Sequence, residues 1–313
     1  MVFPESPLKD SYRRVVWGPW RRALLRLPEG YELRANRRLG RAVMRASKAR
    51  REQLARNLRR AFGERDDLDT LIGAIFETHF VDQYISWSFA RIATGGGDAY
   101  LRIEGLHHLD HALKQGRGAV LMHPHMGPAQ LPLCVLGSRY YRMNQIGGGG
   151  VAQPLSAEGQ RAAATRAELE GHIPARIWDG AGYLRPLVRA LRQGEVVMSA
   201  VDGTGGGHEL GRRYTREVLG QPMRVPVGAV WLALASGAPL LPLVTFRNPT
   251  WGPDYVTEIR PPLDLPRDEP RDVALELGAE IVAVQLERWL RDHPGDWHFW
   301  DEFEPGRFLE PDP

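Results

Sequence analysis

Two histidines stand at the end of an apolar run, where a strand would present them to a ligand. Residues 118–122 have the length of a buried strand, His123 and His125 follow, and Pro128 suits the first turn of a helix. Unpaired backbone N–H groups at a helix start favour a neutral imidazole, so we expect His125 to act as a general base. We expect the N–H of Gly127 to stabilise an oxyanion. The alternative is a pair of loop histidines whose hydrogen bonds are satisfied.

Other polar residues also follow apolar runs. Asp202 comes after residues 195–201 and before a run of glycines, so it is either a catalytic carboxylate or a turn residue. Gln130 lies five positions after His125. A basic patch near the glycine run is either a phosphate-binding site or a solvated surface. The patch consists of Arg212, Arg213, Arg216 and Arg224. The histidines within 107–111 lack a cysteine or carboxylate cluster, so we predict no metal site.

The order of the predicted elements indicates an α/β fold. From residue 100 onwards short apolar runs alternate with helical patterns, which favours a mostly parallel sheet covered by helices. Sites in such sheets lie at the carboxyl ends of the strands, where both His125 and Asp202 are expected. Before residue 95 the pattern is helical, with one helix expected over 36–62 and a break at a run of glycines. We therefore expect a basic helical amino-terminal portion at 1–95 and an α/β core at 96–313.

Charge is distributed unevenly along the chain. The net charge is +3, yet residues 1–60 hold 17 Lys and Arg against 5 Asp and Glu, so this segment carries +12. Tryptophan and leucine are interleaved with these arginines, which predicts contact with an anionic membrane surface rather than with nucleic acid. A solvated helical face is the third interpretation. No secretory signal is visible, and the apolar stretch at 225–246 is divided by glycine and proline. The single cysteine, Cys134, excludes an internal disulfide.

Several motifs occur in a fixed order along most of the chain. They are His125 with position 130, Asp202 at the end of a strand, the Leu-Gly-Gln-Pro to Ala-Pro segment at 219–239, Asn57-Leu58 within 51–62, and residues 185–194. This series resembles the lysophospholipid acyltransferase superfamily, within it the branch of bacterial lipid A late acyltransferases and phosphatidylinositol mannoside acyltransferases.

The resemblance implies a glycerolipid acyltransferase-like fold and a reaction. A fatty acyl group would pass from an acyl-carrier-protein or acyl-coenzyme A thioester to a hydroxyl or amine of a lipid, with His125 as base and N–H groups near Gly127 holding the oxyanion. Gln130 and Asp202 would be the further catalytic residues, and we expect the four arginines and Gly220 to contact substrate. No cofactor beyond the thioester co-substrate and no nucleic-acid partner is implied. We expect a cytoplasmic protein, peripheral on the inner membrane.

The chain departs from the family pattern at Gln130, where relatives carry a carboxylate that orients the histidine. Three explanations compete: another carboxylate, such as Asp202, Glu209 or Glu217, reaches His125; a slower or different transfer suffices; or the chain is a catalytically silenced lipid-binding relative. Acidic residues near the carboxyl terminus also leave open an acyltransferase of specialised metabolism with a soluble or carrier-bound acceptor.

Overall fold

A mostly parallel sheet forms the centre of the molecule. The computed structural model describes residues 6–147, 155–179, 184–203, 211–250 and 252–311. Seven of the described strands form one sheet in the order β1-β9-β8-β2-β5-β3-β4, and two form a separate hairpin. Among the described strands of the large sheet, only β8 and β9 pair antiparallel. The strands are β1 (Leu101–Glu104), β2 (Ala119–His123), β3 (Met143–Gly147), β4 (Ala175–Asp179), β5 (Val196–Ala200), β6 (Arg213–Val218), β7 (Gln221–Pro226), β8 (Leu240–Arg247) and β9 (Tyr255–Ile259).

Helices cover the sheet and precede it. The amino-terminal portion contains α1 (Pro7–Val15), a π-helical turn (Val16–Trp20), α2 (Arg21–Leu24), α3 (Tyr31–Ala46), α4 (Lys48–Phe62), α5 (Leu68–Tyr84) and α6 (Phe89–Ala93). The remainder contains α7 (Leu106–Lys114), α8 (Leu131–Ser138), α9 (Ala157–Glu170), α10 (Arg185–Arg192), α11 (Gly228–Ser236) and α12 (Arg271–Asp292). Short 3₁₀ turns lie at Ile85–Ser88, Gly96–Ala99, Pro294–Asp296 and Trp300–Glu302. None of the helices in the described residues is long and apolar enough to cross a bilayer. The predicted α/β class with a helical amino-terminal portion is confirmed.

Strand β2 lies in the middle of the sheet. All five of its residues are buried, because it pairs with β5 on one side and β8 on the other and is covered on both faces. In the pairing of β2 with β5, His123 stands opposite Ala200. The residues two positions further along each strand, His125 and Asp202, therefore emerge side by side at the carboxyl edge of the sheet.

The amino-terminal helices and the sheet pack together in shared clusters of buried hydrophobic side chains. Leu58 of α4 and Phe76 of α5 belong to the same cluster of buried side chains as Met122 of β2. Helix α3 lies close along α5 because Gly40 has no side chain, and a Cβ at this position would stand 2.6 Å from the carbonyl oxygen of Phe76. The division at residue 95 remains a prediction drawn from sequence character, and buried contacts run across it.

The structure differs from the predicted elements in two places. The helix expected over 36–62 is two helices, because Ser47 leaves the helical region with φ −105° and ψ 63° between α3 and α4. The hairpin of β6 and β7 was not predicted, since Pro222 and Pro226 obscure its alternation. Its two-residue turn is Leu219-Gly220, with φ of 55° and 70°, the positive values that a tight hairpin turn requires.

Candidate active site

His125 and Asp202 form a hydrogen-bonded pair at the carboxyl ends of β2 and β5. The Nδ1 of His125 lies 2.7 Å from Oδ1 of Asp202, and the backbone N–H of His125 donates to Oδ2 at 2.7 Å. The indole N–H of Trp297 donates to the same Oδ2 at 2.8 Å. Asp202 is fully buried, and these three donors satisfy its carboxylate. This arrangement fixes both the position of the imidazole and the direction of its Nδ1.

The pair is electrostatically stabilised in its charged form. Burial raises the pKa of Asp202, but the charge of His125 and the hydrogen bonds to the carboxylate outweigh this effect, so its pKa is lowered overall. Burial lowers the pKa of His125, yet the charge of Asp202 and its hydrogen bond prevail, and the pKa of the imidazole is raised. Asp202 is therefore an ionised carboxylate at neutral pH, and it stabilises the imidazolium of His125.

This result differs from the expectation that a helix start keeps His125 neutral. Helix α8 begins at Leu131, with Gln130 as its N-cap, so its first turn is six residues beyond His125 and not three. The dipole of a helix acts mainly within its first turn. The directly bonded carboxylate of Asp202 therefore decides the protonation of His125.

The Nε2 atom of His125 is the one that remains for chemistry. Because the Nδ1–H of His125 donates a hydrogen bond to the ionised Asp202, the neutral ring carries a lone pair on Nε2. The His125 side chain is 30% exposed, so a substrate can reach the ring. Phe299 packs beside it, with the two ring centroids 4.8 Å apart. A proton acceptor with an apolar neighbour is thus presented at the edge of the sheet.

The loop after His125 is held by the segment near the carboxyl terminus. The N–H of Gly127 donates to the carbonyl of Asp296 at 2.9 Å, and the N–H of His298 donates to the carbonyl of His125 at 3.0 Å. The imidazole of His298 also contacts the carbonyl of Gly127. The N–H predicted to serve an oxyanion is thus already bonded to a peptide, and the role expected of Gly127 would require this bond to break.

Gln130, which the sequence predicts to be a catalytic residue, lies where α8 begins and is not among the hydrogen-bond partners of the His125–Asp202 pair. It is half-buried, and its amide makes no hydrogen bond to any residue that the structure describes. The carboxylate that orients His125 is Asp202. Of the other two carboxylates considered, Glu217 is exposed on β6 and Glu209 lies outside the described residues.

A second carboxylate approaches the loop from α5. Oδ1 of Asp82 accepts the N–H of Ala129 at 3.1 Å and lies 3.9 Å from Nε2 of His298. Sequence reasoning missed Asp82, because it lies in a helix with an apolar period 43 positions before His125. No spacing rule connects two such distant positions.

The other histidine of the motif is structural. Burial, with a contribution from nearby His125, lowers the pKa of His123 to about 4. Its Nδ1 lies 3.1 Å from the carbonyl oxygen of Pro124, which a neutral ring can bond as a donor. His123 therefore stays uncharged inside the sheet edge.

The residues predicted to bind substrate lie on the β6–β7 hairpin or, for Arg212, directly before it. They are Arg212, Arg213, Arg216, Arg224 and, at its turn, Gly220. Two of them face α12: Arg212 pairs with Asp272, and Arg216 pairs with Glu276 and Glu280.

Arg213 is placed differently from the two arginines that face α12. Its Nη1 lies 3.9 Å from the position that a Cβ on Gly203 would occupy, next to Asp202. This contact places Arg213 beside Gly203, the residue that follows Asp202. The glycines that follow, at 205–207, lie outside the described residues, as do 148–150 of the four-glycine run.

Comparison with known proteins assigns the chain to a family. A family model described as bacterial lipid A biosynthesis acyltransferase matches residues 16–302. The chain belongs to this family. The resemblance inferred from the motif series is thereby confirmed.

Similar curated proteins are two phosphatidylinositol mannoside acyltransferases, from Mycobacterium tuberculosis strains CDC 1551 / Oshkosh and ATCC 25618 / H37Rv. Each is 30% identical over 201 residues, covering 63% of this chain and 57% of the relative. The chain thus aligns with a little more than half the length of these relatives.

Proposed function

We propose that this protein is an acyltransferase that moves a fatty acyl group from an acyl-carrier-protein or acyl-coenzyme A thioester to a hydroxyl or amine of a lipid. The observation that carries the proposal is the pairing of His125 with the buried carboxylate of Asp202 at the carboxyl ends of two parallel strands. Family membership supports the reaction class, and the names of the curated relatives support a lipid acceptor.

His125 acts as the general base in this proposal. Its Nε2 takes the proton of the acceptor hydroxyl while the oxygen attacks the thioester carbonyl carbon, and the carbonyl oxygen becomes an oxyanion. The tetrahedral intermediate then expels the sulfur, which receives the proton from the imidazolium. The products are the acyl ester and the free thiol of the carrier. Asp202 holds the Nδ1–H and stabilises the imidazolium between the two steps.

The pairing of His125 with Asp202 favours a catalytically active protein and not a silenced relative. A glutamine at position 130 would leave His125 without a charged partner if that position were the orienting one. Asp202 supplies the charge directly, with a hydrogen bond of 2.7 Å from a side chain that is fully buried. The geometry therefore favours the first of the three explanations for Gln130, namely that another carboxylate reaches His125.

We further propose that the amino-terminal helices bring the site to the anionic, cytoplasmic face of the inner membrane. Exposed apolar side chains on and near α1 and α2 include Leu8 at 81% and Leu27 at 42% exposure. Arg22 and Arg26 are exposed among them. An apolar face with flanking arginines suits the interface of an anionic bilayer.

The reaction is tested by single-turnover transfer of a radiolabelled acyl group from acyl-carrier protein and from acyl-coenzyme A into a bacterial lipid extract. Native protein should label a lipid, and His125→Ala should not. His107→Ala, an exposed histidine on α7, is the matched control and should retain native activity. Equal labelling by native protein and His125→Ala would overturn the proposal.

Membrane contact is tested separately by sedimentation with phosphatidylglycerol vesicles and phosphatidylcholine vesicles. Native protein should bind the anionic vesicles, and the double variant Arg22→Glu with Arg26→Glu should lose that binding. The control variant exchanges two exposed arginines of α12, Arg288 and Arg291, and it should bind the vesicles as native protein does. Equal sedimentation of all three proteins would contradict this second part.

A further inference from the structure

Asp82 lies at the end of α5 and bonds the catalytic loop. Its Oδ1 accepts the N–H of Ala129 at 3.1 Å, and its side chain is 29% exposed. Ala129 is the residue directly before Gln130, the N-cap of α8. The amino-terminal helical portion therefore contributes a charged side chain to the loop that carries His125.

The charges around His125 come from four elements. Asp202 after β5 bonds its Nδ1, His123 of β2 is neutral, and His298 near the carboxyl terminus bonds the loop backbone. Asp82 is the remaining charge, and it favours the protonated form of His125 in the same direction as Asp202 does. The second negative charge therefore strengthens the field at the imidazole.

Asp82 itself faces two basic groups. His298 Nε2 lies 3.9 Å from its Oδ1, and Arg166 of α9 is close enough for its pKa to be raised by both Glu170 and Asp82, against the opposing effect of burial. Arg166 bonds Glu170 at 2.7 Å, so its charge is largely balanced within α9. The charge of Asp82 therefore acts on His298 and Arg166 as well as on the loop and on His125.

Position 130 offers no charge to this site. The side chain of Gln130 is a neutral amide and makes no hydrogen bond within the part of the chain that the structure describes. Asp82 contacts the peptide immediately before it. Helix α5 thus brings a carboxylate to the place in the loop where the loop's own sequence has none.

We propose that Asp82 is a positioning residue that supplies, from the amino-terminal helices, a second carboxylate for His125 in place of position 130. It holds the peptide at Ala129, and its charge stabilises the imidazolium that forms when His125 takes the acceptor proton. The proposal rests on the proposed function in that His125 is the base. It also makes α5 a part of the active site and not only of a membrane-contacting portion.

The test uses Asp82→Asn, which keeps an oxygen to accept the Ala129 N–H and removes the charge. We expect kcat to fall roughly tenfold with KM unchanged, a part of the ~10²–10⁴-fold that general base catalysis supplies. The acid limb of the pH profile should shift to lower pH, because loss of a negative charge lowers the pKa of His125. Asp69→Asn, an exposed residue of the same helix, is the control and should behave as native protein.

A second-site variant tests the equivalence of the two positions. In the Asp82→Asn background, Gln130→Glu should return the acid limb towards its native position, because it restores a carboxylate beside Ala129. If the acid limb of the pH profile does not move in Asp82→Asn, the proposal is overturned. A limb that moves but is not restored by Gln130→Glu would overturn the claim that Asp82 replaces a charge at position 130.

A measurement without substrate separates this proposal from the proposed function. The titration of His125 is followed by nuclear magnetic resonance of its ring Cε1–H, assigned among the ten histidines with a His125→Gln variant. A lower midpoint in Asp82→Asn, even in a protein that transfers no acyl group, supports the electrostatic role of Asp82. An unchanged midpoint in a fully active protein contradicts that role while the proposed reaction stands.

Discussion

Replacing Asp202 by asparagine removes the charge from the pair while keeping its shape. Oδ2 of Asp202 accepts two donors whose roles are fixed, the backbone N–H of His125 and the indole N–H of Trp297. The asparagine oxygen must therefore take this position, because the opposite orientation would set two donors against its NH₂ group. The NH₂ group then faces Nδ1 of His125, which has to become an acceptor. The imidazole proton moves to Nε2, and the base loses its lone pair.

The size of the effect follows from this change of tautomer. The corresponding exchange of the aspartate in a serine-protease triad costs ~10⁴-fold in kcat, about 5.5 kcal/mol of transition-state stabilisation. We expect a loss of this order in Asp202→Asn. Stability should change little, since all three hydrogen bonds can still form. Asp202→Ala is the contrasting variant: three buried donors lose their acceptor at about 1–3 kcal/mol each, and the fold is destabilised.

The assay is single-turnover acyl transfer, with thermal denaturation and ¹⁵N resonance of the His125 ring measured on the same samples. Asp202→Asn should keep a near-native Tm, show the proton on Nε2, and transfer the acyl group ~10⁴-fold more slowly. An Asp202→Asn protein that retains activity within about tenfold of native would refute the argument, because general base catalysis should then not depend on this carboxylate.

Two further predictions concern the residues around the pair. Trp297→Phe removes the indole N–H that donates to Asp202 at 2.8 Å. The free energy of unfolding should fall by about 1.5–3 kcal/mol, which is the range for a hydrogen bond to a charged group. An unchanged denaturation midpoint would contradict this prediction. Gly127→Ala should destabilise more than Gly63→Ala in urea denaturation. Both glycines have positive φ, 57° and 73°, but only at Gly127 does an added Cβ meet a backbone atom, the Thr245 oxygen at 2.9 Å. Equal losses of stability in Gly127→Ala and Gly63→Ala would contradict this prediction, because they would show that the backbone shifts to relieve the contact with Thr245.

The sequence predicts the frame of the site well, and the reason is physical. Apolar runs that end in His125 and Asp202 mark strands buried on both faces, and parallel strands place their carboxyl ends together. The structure places these two residues opposite each other through the register of His123 with Ala200. The sequence leaves three carboxylates as partners for His125, and the register of β2 with β5 places Asp202 beside it.

The contacts that complete the site depend on tertiary packing. The carbonyl of Asp296 occupies the Gly127 N–H, and Asp82 reaches Ala129 from a helix far earlier in the chain. Neither contact leaves a local signal, because each joins segments that approach only when the core forms. The arginines on the β6–β7 hairpin show the same limit: their types suggest anion binding, yet Arg212 and Arg216 pair with carboxylates of α12.

The central claim is that His125 is the base and that Asp202 raises its pKa. The most direct measurement compares the acid limb of kcat/KM against pH with the titration midpoint of His125 measured by nuclear magnetic resonance in the free protein. The two midpoints should coincide, because the base must be neutral to accept a proton, and both should lie above the ordinary value of a histidine side chain. A His125 midpoint at or below that value, or an acid limb that follows another group, would contradict the claim.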